Sequence, residues 1–250
     1  MKIMLFVTFL LLLLCLGRTA VAEEDSRCYE MRVYYCAEGK MDDLLARFRE
    51  HSCILLEKHG FTNIGYWVPM DNPDNLLVYI ISSPDCDANK NAWKAFIEDP
   101  EWKKVAQETE ANGRLVTKVD SIFLKTADFS PAITPTGEQA DVQRCFELRT
   151  YTAAPGKLND LLTRFRDHTL ALFTKHGMTH IGYWVRTDEG TNQLIYILAH
   201  KDKEAAAKSW KNFRADPDWI EAKKASEVNG SLTDKVESFF MTPMDFSPIK

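Results

Sequence analysis

The sequence predicts an α+β fold: two fused ferredoxin-like units, each running β-α-β-β-α-β, joined as a pseudo-dimeric α+β barrel. Three observations lead there. The chain repeats itself. Cys28-Tyr29-Glu30-Met31-Arg32-Val33-Tyr34 returns as Cys145-Phe146-Glu147-Leu148-Arg149-Thr150-Tyr151, an offset of 145 − 28 = 117. The offset holds without a gap from there to Asp128-Phe129-Ser130-Pro131 and Asp245-Phe246-Ser247-Pro248, with close to half the positions identical. Two copies are too few for a solenoid, so this is a duplicated domain. The strands alternate, with one apolar face each. A unit of this order carries helices on one face of its sheet, so the other face needs cover, and a second unit in the same chain supplies it.

Taken in order, Cys28 to Tyr35 sets Tyr29, Met31 and Val33 on one face and Glu30, Arg32 and Tyr34 on the other, the period of a strand. The charged face is expected to lie away from the helices, as a layer between the two units. A helix follows. Its apolar positions are Met41, Leu44, Leu45, Phe48, Leu55 and Leu56 in copy one, and Leu158, Leu161, Leu162, Phe165, Leu172 and Phe173 in copy two. Steps of three and four make a single stripe. Pro155 suits its first turn and Gly177 its C-terminal cap. Thr179 to Val185 and Gln193 to Ala199 are strands around a polar turn. Lys203 to Arg214 reads as a helix with Ala207, Trp210 and Phe213 inward. Asp216-Pro217 ends it and opens another, with Asp as N-cap and Pro as first residue. Val236 to Met241 is the last strand.

The ends and the composition bound the class. Met1-Lys2, the apolar run Ile3 to Leu16 and Ala20-Val21-Ala22 have the form of a secretory signal peptide. The expected divisions are 1–22 as signal peptide, 28–131 and 145–248 as the two units, and 132–144 as linker. Cleavage after Ala22 would give a secreted or periplasmic protein with no membrane span in its mature chain. Losing Lys2 and Arg18 leaves 29 basic against 36 acidic residues, near −7. That charge argues against nucleic acid as a partner. Of the five cysteines left, only Cys28 and Cys145 match between copies. They read as small buried hydrophobes rather than as a disulfide framework. No C-x-x-C or paired-histidine spacing points to zinc, and no motif asks for a cofactor. Asn229-Gly230-Ser231 is a glycosylation sequon that would matter in a eukaryotic secretory pathway.

The ordered set of Cys145 to Tyr151, Pro155-Gly156-Lys157, His176-Gly177, Ile181-Gly182-Tyr183-Trp184, Asp216-Pro217-Asp218-Trp219 and Asp245-Phe246-Ser247-Pro248 resembles the NIPSNAP family. The resemblance covers both copies. Copy one departs from it at Glu38, opposite Pro155, and at Asn63, opposite His180. It implies a branch of the dimeric α+β barrel superfamily, in which two ferredoxin-like units join their sheets. The family has no settled activity; related barrels include cofactor-free monooxygenases and haem-binding enzymes.

Two functions are expected. The first is a binding module for a small apolar ligand or a protein partner, with Tyr66, Trp67, Trp93, Tyr183, Trp184 and Trp210 as candidate pocket aromatics. Rings at these spacings also make ordinary core. The second is a cofactor-free oxygenase-like or isomerase-like enzyme using His51 or His168. Each of these lies on the apolar helical stripe, where a polar ring is either a bonded core element or a group placed to move a proton. His59 and His176, on the last turn, suit the helix C-terminus. The two copies are expected to pair within the chain, with a homo-oligomer left open.

Overall fold

The structure is a computed structural model and describes residues 25–135 and 144–250. The signal peptide and most of the linker read from the sequence lie outside the described residues. Strand β1 (Cys28–Cys36) obeys its alternation: Tyr29, Met31 and Val33 turn into the interior of a barrel. Seven further strands close it: β2 (Thr62–Pro69), β3 (Leu76–Ser83), β4 (Val116–Thr126), β5 (Cys145–Ala153), β6 (Thr179–Arg186), β7 (Gln193–His200) and β8 (Thr233–Pro243). The closed order is β1-β3-β2-β8-β5-β7-β6-β4. Each repeat therefore contributes four consecutive staves, β4-β1-β3-β2 and β8-β5-β7-β6. They meet at two antiparallel seams. One pairs Trp67 with Pro243 and Pro69 with Met241, the other Leu124 with Arg186 and Thr126 with Trp184. Closure removes the exposed edges that a lone four-stranded sheet would carry.

The interior is apolar and filled from both repeats. Tyr29 meets Trp184 edge-on, with ring centroids 6.0 Å apart, and Trp67 meets Phe146 at 5.8 Å. Ile133, within the stretch read as linker, joins this core. The Gly-Tyr-Trp motif has a steric cause. The ring of Trp67 folds back over Gly65, and that of Trp184 over Gly182, so a Cβ at either glycine would clash with ring carbons 2.2 and 2.5 Å away.

The helices pack on the outer face, and here the expected direction of the charged face is corrected. Glu30, Arg32 and Tyr34 point towards the helices, not away from them: Trp93 on α3 (Cys86–Glu98) donates to Glu30. The charged layer therefore does not lie between the repeats. The surface they share needed to be apolar, because closing a barrel buries it.

The first helix of each repeat is three pieces: α1 (Met41–Arg47), a π-helical turn Phe48–Ser52 and α2 (Cys53–Lys58). In the second repeat these are α5 (Leu158–Arg164), Phe165–Thr169 and α6 (Leu170–Lys175). A π turn takes in an extra residue. The buried stripe therefore advances by four, from Leu161 to Phe165 to Thr169, then to Leu172 and Phe173. Thr169, not His168, takes the place on the core side. The expectation that His51 and His168 enter the helix–sheet layer fails for this reason. Pro155 lies in the turn before α5 rather than in its first turn.

The Asp-Pro break is as expected. Asp99 and Asp216 cap α4 (Pro100–Thr109) and α8 (Pro217–Ser226), accepting from Glu101 N at 2.8 Å and Asp218 N at 3.0 Å. In α7 (Lys203–Ala215) the buried residues are Ala206, Trp210 and Phe213, so the inward alanine is one position earlier than the sequence suggested.

The Asp-Phe-Ser-Pro tails are exchanged. Phe246 follows β8 of the second repeat yet packs on Phe48 and Tyr66 of the first, and Ser247 Oγ accepts from Tyr66 N at 2.9 Å. Phe129 and Ser130 do the same for Phe165 and Tyr183.

The cysteine reading also needs correction. Cys28 and Cys86 form a disulfide, with Cα atoms 5.0 Å apart, tying β1 to α3. In the second repeat Lys203 stands at the position equivalent to Cys86, so the bridge exists only once. Cys36, Cys53 and Cys145 are free, and Cys36 and Cys145 are buried as expected.

Candidate functional site

Glu147 and Arg149 are two residues apart on β5, so both side chains leave the same face of the sheet. Above them stands Trp210, on the buried side of α7. Glu147 is 2% exposed. It accepts from Trp210 Nε1 at 2.7 Å, His200 Nε2 at 3.1 Å and Arg149 Nη1 at 2.5 Å. Burial pushes the Glu147 carboxyl up, but the bonds from His200, Arg149 and Trp210 outweigh it, and its pKa lies below the ordinary value. Burial likewise opposes the charge on Arg149; the surrounding phenols and the Glu147 carboxylate outweigh that and raise its pKa. The guanidinium lies 4.2 Å from the Trp210 ring centroid and donates to Tyr151 OH at 3.3 Å. Its Nε, although buried, has no partner. The outcome is a fixed cation held against an indole face, an arrangement worth about 1 kcal/mol at a partly exposed site.

Arg149 and Trp210 form the floor of an open cleft of about 520 Å³ between α7, α8 and β5. The walls are aromatic: Tyr151, Trp210, Phe213 and Trp219. The rim carries Arg214, Ile220, Lys223, Lys224 and Glu227. Phe213 and Trp219 hold each other with centroids 4.4 Å apart. The size suits a small organic molecule.

The first repeat has the same buried group beside a much smaller cavity. Glu30 accepts from Trp93 Nε1 at 2.6 Å, Asn89 at 3.0 Å, Ser121 at 2.5 Å and Arg32 at 2.7 Å. Arg32 sits 4.2 Å from the Trp93 centroid. The cavity that Tyr34, Trp93, Phe96 and Trp102 share with Arg47, Phe48, Ser52, Leu56 and Tyr79 is about 40 Å³. By the 117-residue offset, Ile97, Ala106 and Gln107 stand where the second repeat has Arg214, Lys223 and Lys224.

The structure separates the residues that the sequence grouped. Trp67 and Trp184 fill the barrel interior. Tyr66 and Tyr183 lie buried in the helix–sheet layers. Tyr66 OH donates to Asn63 Oδ1. Tyr183 OH lies 2.6 Å from His180 Nδ1, and His180 Nε2 lies 2.9 Å from Thr174 Oγ1. Thr174 donates its own proton to Leu170 O, so His180 Nε2–H must be the donor there and Tyr183 the donor to Nδ1. A neutral ring results, and burial lowers the His180 pKa accordingly. Trp93 lines the narrow cavity. Of the six aromatics, only Trp210 lines the open cleft.

His168 is exposed and His51 half-exposed. Each borders a separate open groove between the first and last helices of its repeat, beside Asp167 and Arg164 or Glu50 and Arg47. Neither reaches the cleft. His59 and His176 bind Asp99 and Asp216 at 2.7 Å, each joining the end of one helix to the cap of another. Lys175 first, then His176, hold the Asp216 carboxyl down at about 2. Sequence reading missed Arg149, Phe213, Trp219, Arg214, Lys223 and Lys224 as site residues. One signal was present in the chain: the basic residues at 214, 223 and 224 have no basic counterpart in the other copy. No group of His, Cys, Asp and Glu that could hold a metal, and no helix long and apolar enough to cross a membrane, occurs among the described residues.

A family model described as NIPSNAP matches residues 29–131 and again 146–248. "Protein NipSnap homolog" of Dictyostelium discoideum is 21% identical over 223 residues, 88% of each chain. Among solved structures, a proposed monooxygenase from Lactobacillus acidophilus superposes with a TM-score of 0.57 at 11% identity, covering 87% of this chain and 94% of its own. An anthrone oxidase-like protein gives 0.58 at 10% identity, covering 91% and 95%. At these identities the likeness is one of fold alone, an α+β barrel.

Proposed function

The chain belongs to the NIPSNAP family, and from that premise we propose that it is a small-molecule binding protein whose site is the α7–α8 cleft of the second repeat. The carrying observation is the contrast between copies. The same Glu–Arg–Trp group borders an open, aromatic-walled cleft of about 520 Å³ in one repeat and a narrow cavity of about 40 Å³ in the other. Packing alone gives no reason for one to open. We read each repeat as a ferredoxin-like unit and the chain as a fused pseudo-dimer, with the first repeat as the structural partner. The Cys28–Cys86 disulfide supports the exported reading, because such bonds persist in oxidising compartments. The names of the solved relatives suggest oxygenase chemistry; the helix histidines do not line this cleft, and each borders a groove of its own.

Native mass spectrometry of the purified full-length chain tests this. One small molecule per chain is the expected retained load. Trp219→Ala should lower occupancy, whereas Trp102→Ala, its counterpart in the first repeat, should not. Equal losses in both variants would contradict the assignment to the second repeat.

A further inference from the structure

The rim of the cleft narrows the class of ligand, provided that the cleft is the binding site proposed above. The chain as a whole is acidic, with a formal charge of −5. The cleft is the reverse. Arg149 lies at its floor and Arg214, Lys223 and Lys224 at its edge, against the single carboxylate of Glu227. That carboxylate is already taken: Arg164 Nη1 binds it at 2.8 Å, and Lys223 lies 4.0 Å away. Arg214 and Lys224 have neither an ion pair nor a hydrogen bond among the described residues. Cations gathered around an apolar cleft repel one another, and the potential they focus favours a counter-charge. The first repeat has Ile97, Ala106 and Gln107 opposite Arg214, Lys223 and Lys224, and one cation, Lys103, opposite Ile220.

We propose that the cleft takes an organic anion with a flat apolar body: a carboxylate held by the Arg214–Lys224 rim, with its ring system laid against Trp210, Phe213 and Trp219. The rings supply apolar area and the rim supplies charge selection. Arg149, already bound to Glu147, completes the cationic floor without being free to leave it. A neutral molecule of the same shape would gain the ring contacts alone, and a cation would meet repulsion.

The test uses three probes of one shape on the full-length chain at low salt: 1-naphthoate, neutral 1-naphthamide and 1-naphthylmethylammonium, with affinity read from tryptophan fluorescence or calorimetry. Two partly exposed ion pairs at up to 1 kcal/mol each imply that naphthoate binds about tenfold tighter than the amide. Added salt should narrow the gap, and the ammonium should bind weakest. The double variant Arg214→Ile, Lys224→Gln, which puts first-repeat residues at two rim positions, should cut the ratio of naphthoate to amide affinity by about threefold or more, with Arg149 and Lys223 left as the cleft's cations. Both side chains are exposed, and a circular dichroism spectrum checks that the fold is kept. Equal affinity for naphthoate and the amide in the wild type would overturn the anion proposal while leaving the cleft as a site. Failure of all three probes to bind would overturn both.

Discussion

At the scale of single residues, Glu147 matters more than the histidines that the sequence brought forward. Its carboxylate takes three donors, one of them a half-buried arginine. Glu147→Ala leaves Arg149 as an uncompensated charge and should cost about 3–5 kcal/mol of stability. His168→Asn, at an exposed position, should stay within about 0.5 kcal/mol of the wild type. Denaturant melts of both variants check the contrast. The strand alternation that placed Glu147 and Arg149 on one face was legible in the sequence. Which way that face pointed was not, because period two fixes the pairing of side chains with a face but not the direction of the core. The His168 expectation failed through spacing: a period of 3.6 carried across a π turn accumulates about one residue of error.

At the scale of elements, the Asp-Pro junctions were legible in full, since aspartate as N-cap and proline at the first position each have a local cause. What they join was not. Asp216 caps α8, binds His176 at the end of α6 and takes Lys175 at 2.8 Å. Asp202 caps α7 through Ala205 N alone. Asp202→Ala should cost about 1 kcal/mol, the ordinary loss of a cap; Asp216→Ala should lower the melting temperature further. Asp216→Asn keeps an acceptor for the cap and loses the charge. The steep part of the pH dependence comes from the lowered carboxyls. Asp216 falls from an ordinary 3.8 to about 2, and Glu147 lies below an ordinary 4.5. A carboxyl whose folded pKa is depressed stabilises the fold above its unfolded value and loses that contribution as pH falls through the folded one. The melting temperature should therefore fall gently as pH drops below about 7, where unfolded His180 takes a proton that burial denies it in the fold, and more steeply from about pH 5 towards pH 2. In Asp216→Asn the part of that fall between pH 3.8 and about 2 should shrink. An unchanged acid slope in this variant would contradict the assignment.

At the scale of the whole molecule, the repeat and its one-sided patterning announced two units that cover each other. The seams and the tail exchange were silent in the sequence, because an offset identifies equivalent residues and not which copy each one touches. The disulfide was silent for a similar reason: its absence from the second copy made it read as dispensable. Residues 28–131 expressed alone would carry an uncovered apolar sheet face, two unpaired edges and a tail whose docking site lies in the other repeat. The expected product is a homodimer or an aggregating chain, distinguishable by light scattering. A soluble, well-folded monomer would contradict the closed-barrel account. Cys86→Ala in the full chain should cost about 2–4 kcal/mol, since the bridge closes a loop of 58 residues.

The division of labour between the repeats has a direct readout, because the six tryptophans sample every compartment. Trp67 and Trp184 lie inside the barrel, Trp93 and Trp102 line the narrow cavity, and Trp210 and Trp219 line the cleft. Fluorine NMR of the protein labelled with 5-fluorotryptophan, with each resonance assigned by single substitution, reports on all six during a titration with 1-naphthoate. Saturating shifts confined to Trp210 and Trp219 are the predicted result. Shifts of Trp93 and Trp102 of equal size, or of Trp67 and Trp184 within the barrel, would contradict a site built in the second repeat alone.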